Sequence, residues 1–142
     1  MQVKDLMNPS VVTIEPGSSA ALAASLICRH NVGALPVCGD DRRVRGVVTD
    51  RDIVLRCVAA EEDPAQTPVR DIMTRSCTTI SPDQDAQEAV HLMAVHQIRR
   101  LPVVDRGKLV GVISLSDLAR SGRFDMEAAQ ALCEISENIV VR

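Results

Sequence analysis

Two short stretches of this chain carry side chains that could do chemistry together. Gly46-Val47-Val48-Thr49-Asp50-Arg51-Asp52 and Gly111-Val112-Ile113-Ser114-Leu115-Ser116-Asp117 each run from a glycine through apolar residues to a hydroxyl, with an aspartate three residues beyond it. A carboxylate can accept two hydrogen bonds from a ribose diol, as in dinucleotide sites. A hydroxyl beside the open N–H groups of a helix start can meet a phosphate. Acid, hydroxyl and helix start together suit a nucleotide. The same spacing also makes an N-cap box, in which Thr49 or Ser114 accepts a backbone N–H and the aspartate at N3 reinforces it. A cap does not exclude a ligand, so both roles stand.

Other reactive residues lack such order. His30 and His96 fall at the same place in two similar segments, each near a helix end, which suits packing or the helix dipole better than a general base. No HExxH or Walker loop occurs, and no Ser-His-Asp or His-Cys-Asp spacing recurs. The five cysteines form no CxxC pair, which argues against both a disulfide framework and a zinc finger. Zinc held by Cys28, His30 and Cys38 has no compact ligand spacing behind it. Cys28 and Cys57, in helical stretches, read as small core residues. The expectation is no catalysis, no metal and no obligatory cofactor.

The elements that must position the two stretches are themselves duplicated. Val3-Lys-Asp-Leu-Met7 answers Val69-Arg-Asp-Ile-Met73, Thr13-Ile14 answers Thr79-Ile80, and Leu35-Pro36-Val37 answers Leu101-Pro102-Val103. The offset of 66 becomes 65 after one deletion in the Gly39–Arg43 loop, so that Asp52 falls on Asp117. Each copy predicts an extended run (Val11–Ile14; Thr78–Ile80), then a helix with apolar positions 20, 23, 24 and 27 or 86, 89, 90 and 93. Asp85 and Glu88 make a candidate capping box for the second of these helices. Two β-runs follow (Leu35–Cys38 and Val44–Thr49; Leu101–Val104 and Leu109–Ser114), joined by polar hairpin loops, and a short helix starts near Asp50 or Leu115. The pattern is β-α-β-β-α twice, an α/β (α+β) fold. So small a sheet cannot cover its own apolar face. Two copies packed sheet to sheet with pseudo-twofold symmetry can, leaving two equivalent clefts. The organisation read from the sequence is residues 1–60, a charged linker at 61–67, residues 68–121, and a tail at 122–142. The tail shows helical spacing at Met126, Ala129, Leu132 and Cys133, as a helix packed on the module or as a dimer contact.

Composition narrows the partners. The 142 residues hold one Phe and no Tyr or Trp, so there is almost nothing on which single-stranded nucleic acid could stack. Sixteen Lys and Arg against nineteen Asp and Glu leave a net charge of −3, without the basic footprint a duplex needs. No run approaches the roughly 18 apolar residues of a membrane span, and the start of the chain has no apolar signal core. A reducing cytoplasm fits these features.

The tandem unit, the paired Leu-Pro-Val runs and the Gly46–Asp52 and Gly111–Asp117 motifs resemble a pair of cystathionine-β-synthase (CBS) domains, the Bateman module, over roughly residues 1–120. The Gly33–Asp41 and Thr49–Val54 stretches also look like the small stand-alone hypoxic-response proteins of actinobacteria. One departure is that Cys38-Gly39 stands where the second copy has Val104-Asp105. The resemblance implies that Asp52 and Asp117 hold ribose hydroxyls, with Thr49, Ser114 and nearby Ser116 beside the sugar or phosphate. It also implies that Arg99 and Arg100 neutralise phosphate, and that the backbone around Thr13 and Thr79 edges the adenine. The first copy has Gly33-Ala34 where the second has Arg99-Arg100, so the two clefts should differ, because charge-assisted phosphate contacts are the strong ones. The alternative for the two arginines is solvated charge, pairing with Asp105. The resulting expectation is a non-catalytic regulatory module that binds AMP, ADP or ATP, dimerises, and acts on an effector protein in trans. The competing expectation is a structural or stress-response protein with empty clefts or another ligand.

Overall fold

The computed structural model describes residues 1–122, 129–132 and 135. Met126 and Cys133 of the tail lie outside them, while residues 129–132 are helical. Its elements follow the two-copy order. In the first copy, α2 (Ala20–His30) leads to β1 (Ala34–Cys38), β2 (Val44–Thr49) and α3 (Asp50–Ile53), after a single turn α1 (Val3–Leu6). In the second, α4 (Ala86–His96) leads to β3 (Arg100–Asp105), β4 (Lys108–Ser114) and α5 (Leu115–Arg120). The opening extended runs shrink to single parallel bridges, Ile14 with Val37 and Ile80 with Val103. The fold is α+β.

Local chemistry sets the element ends. Ser19 Oγ accepts from Leu22 N at 3.1 Å to start α2. Asp85 caps α4 by accepting from Gln87 N at 2.9 Å, but Glu88 makes no return bond, so the box expected there is only half formed. Complete boxes stand instead at Thr49 and Ser114. Both long helices end on a histidine followed by a left-handed residue, Asn31 (φ 51°) or Gln97 (φ 59°), whose N–H closes the last turn. β1 and β2 pair antiparallel with a bulge that leaves Arg45 unpaired between Gly46 and Val44. The bulge falls at Cys38, where the first hairpin departs from the second.

Two compact units emerge, and they do not coincide with the two copies. One contains Met1–Val11, Thr78–Arg106 and Val110–Arg142; the other contains Val12–Cys77 and Gly107–Leu109. The copies have exchanged their opening segments. Val3 is fully buried with Leu101, Ile113 and Leu118. Val69, Ile72 and Met73 are buried with Leu35, Val37 and Val48. Each exchanged segment also bridges the last strand of its unit, Asn8 to Val112 and Thr74 to Val47, both antiparallel. This approach explains the glycine that opens each motif. A Cβ on Gly46 would lie 2.5 Å from the Thr74 carbonyl oxygen, and one on Gly111 would lie 2.8 Å from Met7 Sδ and 3.0 Å from the Asn8 oxygen.

Packing follows the predicted stripes unevenly. In α4, Ala86, Ala89, Val90 and Met93 are all buried. In α2 only Ala20 and Ala23 are, with Leu26 and Ile27 half-buried and Ala24 exposed. Cys57 is buried as expected, but Cys28 is exposed, because it lies on the outer side of α2. The 61–67 segment docks on α2: the Thr67 and Pro64 carbonyls accept from Ala20 N and Ala21 N, both at 2.9 Å. These contacts satisfy donors that a helix start leaves open.

Candidate nucleotide site

The two motifs fold into the same local frame. In the first, Asp52 N donates to Thr49 Oγ1 at 3.0 Å and Thr49 N donates back to Asp52 Oδ2 at 3.0 Å. In the second, Asp117 N donates to Ser114 Oγ at 3.1 Å and Ser114 N to Asp117 Oδ2 at 2.9 Å. The first helical N–H is spent as well: Asp50 N donates to Gly33 O at 3.1 Å, and Leu115 N to Arg99 O at 2.8 Å. The helix starts therefore offer fewer open amides than the motifs suggested. These backbone bonds fix what stands beside each hydroxyl. Beside Thr49 stands Gly33; beside Ser114 stands Arg99.

The aspartates differ sharply in surroundings. Asp52 is buried, at 6% exposure. Its remaining acceptor capacity is filled by Thr74 Oγ1, 3.2 Å from Oδ1 and 3.3 Å from Oδ2, and by Arg56 Nη1 at 3.3 Å. Arg56 also donates to the Ile72 carbonyl at 2.9 Å, so this cluster ties the motif to the exchanged segment. Asp117 is more open, with a side chain 22% exposed against 9% for that of Asp52. Beyond its cap bond, among the described residues, it pairs with the exposed Arg120 Nη2 at 3.0 Å. The residue corresponding to Thr74 is Asn8, which instead accepts from Ser10 N at 2.9 Å.

Arg99, Arg100, Ser114 and Ser116 line one cleft of about 480 Å³, with Leu115, Ala119, Ala129 and Leu132. That volume falls in the range of about 300–1,000 Å³ usual for small-molecule sites. Ser114 Oγ and Ser116 Oγ lie 3.0 Å apart. Among the described residues neither arginine is ion-paired, so the alternative pairing with Asp105 does not form. The cleft thus combines two guanidinium groups, without an ion pair among the described residues, and two hydroxyls with an apolar wall.

The structure does not gather every expected residue. Thr79 is exposed and Thr13 half-buried, each next to a bridging isoleucine, and neither Thr79 nor Asp117 lines the cleft. Arg56 and Arg120 could have been found from their i+4 and i+3 spacing to the aspartates. Thr74 carries no local signal, since only the exchange of segments brings it to Asp52. The cleft residues Ala129 and Leu132 come from the tail, whose place against the second motif no spacing rule reveals. Among the described residues no group of three or more His, Cys, Asp or Glu could hold a metal ion. No helix among them is long and apolar enough to cross a membrane.

A duplicated unit of this order, with a glycine-to-aspartate motif closing each hairpin, defines a tandem α+β module. The CBS domain family matches residues 3–58 and 69–123, and the chain belongs to it as a pair of CBS domains. It is 44% identical over 134 residues to the CBS domain-containing protein YhcV of Bacillus subtilis, covering 94% of each chain. It is 37% identical over 117 residues to hypoxic response protein 1 of Mycobacterium tuberculosis, covering 82% of each. Among solved structures, that of Hypoxic Response Protein I with two coordinated zinc ions matches with a TM-score of 0.79 and 35% identity, covering 84% of this chain and 98% of that one. The structure of CBSX2 in complex with AMP matches with a TM-score of 0.75 and 29% identity, covering 85% and 95%. That of the CBS domain pair of protein MJ0100 with 5′-methylthioadenosine and S-adenosyl-L-methionine matches with a TM-score of 0.75 and 26% identity, covering 86% and 95%.

Proposed function

We propose that this CBS pair is a non-catalytic regulatory module that binds an adenine nucleotide at its second motif. The observation that carries the reading is the cleft in which Arg99 and Arg100, without ion pairs among the described residues, stand beside Ser114 and Ser116. A phosphate takes the guanidinium groups and hydroxyls, because charge-assisted bonds there replace water rather than an existing ion pair. Asp117 does not itself line the cleft but is bonded through its N–H to cleft-lining Ser114, and it takes the ribose by exchanging its exposed contact with Arg120 for the sugar hydroxyls. The adenosine-bearing ligands of the CBSX2 and MJ0100 structures support the ligand class. Asp52, with its acceptors filled by Thr49, Thr74 and Arg56, serves the fold instead.

Binding shifts an equilibrium only through differential affinity for the two states. The output passes to an effector protein in trans in the cytoplasm. Self-association belongs to the same reading: Val54, Leu55 and Val58 are each at least half exposed and offer an apolar face, and light scattering is expected to report a homodimer.

Thermal unfolding with AMP, ADP, ATP and S-adenosylmethionine tests the ligand. A ligand of the native state raises stability by about 2.7 kcal/mol at a hundred times its Kd. At least one of the four is expected to raise the melting temperature, and Asp117→Ala to abolish the rise. An unchanged curve with all four contradicts the reading and favours a structural role.

A further inference from the structure

We infer that the C-terminal helical stretch is part of the ligand site, with Leu132 and Ala129 forming the apolar wall on which the purine base of a bound nucleotide packs. The inference rests on the nucleotide reading and goes beyond it, because it assigns base recognition to a segment outside both CBS copies. Ala129 and Leu132 line the same cleft as Arg99, Arg100, Ser114 and Ser116, with Leu115 and Ala119 between. Residues 129–132 follow the matched family region, which ends at 123. The cleft is therefore divided: cationic and hydroxylic groups come from the second copy, and half of the apolar wall comes from the tail.

Two features leave this wall accessible to a base. Leu132 remains 43% exposed although its neighbour Ala131 is buried in the core cluster, so the stretch is anchored by one face while presenting Leu132 on another. The other apolar lining residues are small or already packed: Ala119 leaves room for a flat ring, and Leu115 is only 6% exposed. With no Tyr or Trp in the chain, aliphatic contact is the main means of holding a base. The arrangement fits a ligand with an anionic end for Arg99 and Arg100 and a flat apolar end for Leu132. Ribose 5-phosphate has only the first; AMP has both.

Calorimetric titration of the full chain with AMP, and with ribose 5-phosphate as its competitor, separates the two parts. Leu132→Ala is expected to weaken AMP about five- to tenfold, as partial loss of a buried leucine contact implies, and to leave ribose 5-phosphate within about twofold. Leu132→Met, which keeps the apolar volume, is expected to restore AMP binding. The variants should fold, because Leu132 lies outside the core cluster, and their unliganded melting curves check this. AMP affinity unchanged by Leu132→Ala, or an equal loss for both ligands, overturns the inference while leaving the nucleotide reading intact. A wild-type chain that binds neither ligand overturns both.

Discussion

The two copies of the motif share a backbone and differ in what surrounds it. Around Thr49 and Asp52 the polar groups are mutually satisfied: cap, threonine hydroxyl and Arg56 leave the carboxylate buried and occupied. Around Ser114 and Asp117, among the described residues, the carboxylate has one exposed side-chain partner beyond its cap, and the two nearby arginines have no ion pair. Burying a polar group is tolerable only when its bonds are made. The first motif therefore meets the needs of folding from within, whereas the second leaves its needs open to a ligand. The two motifs share one frame; differences at a few side chains make one a joint and, in the function proposed above, the other a site.

This contrast can be broken most forcefully at the aspartates. Asp52→Ala removes the carboxylate acceptor of Thr74 and the ion-pair partner of Arg56, and it removes a cap, so urea unfolding should show a loss of about 2–3 kcal/mol. Asp117→Ala removes a cap and an exposed ion pair, and should cost only about 1 kcal/mol. Equal losses would contradict the division of roles. At the glycines the expected difference is smaller. Gly46→Ala drives a methyl group against the Thr74 backbone and should cost about 2 kcal/mol by the same assay. Gly111→Ala meets first the flexible end of Met7 and should cost about half as much.

The least effect on stability is expected at the arginines. Arg99→Ala and Arg100→Ala should change unfolding free energy by no more than about 0.5 kcal/mol, since neither side chain supports the fold. A thiol probe sharpens the comparison at the hairpins. Burial pushes the Cys38 thiol up, with Arg42 pulling it partly back and Asp41 adding to the rise. The thiolate is the reacting form, so Cys38 holds less of it at a given pH than an ordinary thiol. Peptide mapping after brief iodoacetamide treatment at pH 8 should find exposed Cys28 labelled before Cys38, with Cys38 gaining as the pH is raised.

Much of this was legible in the sequence because it is local. Hydroxyl-to-aspartate spacing dictates a capping box, and both boxes form. The 3.6-residue stripe in α4 buries all four of its predicted positions. What escaped depends on non-local placement. Val3 and Val69 occupy equivalent sequence positions, and nothing in their types says which unit each will join. The exchange decides it, and with it comes Thr74, the hydroxyl that closes Asp52. Cys28 lies exposed rather than in the core, since a cysteine on an amphipathic helix suits either side. The difference between Gly33-Ala34 and Arg99-Arg100 was visible, but the tail that completes the cleft beside the arginines was not.

The most direct measurement of the central claim is the stoichiometry of AMP binding by calorimetry, on the wild-type chain and on the Arg99→Ala/Arg100→Ala double variant. The account expects one nucleotide per chain in the wild type and none in the double variant. Two equivalent nucleotides per chain, or binding that survives the loss of both arginines, would contradict it.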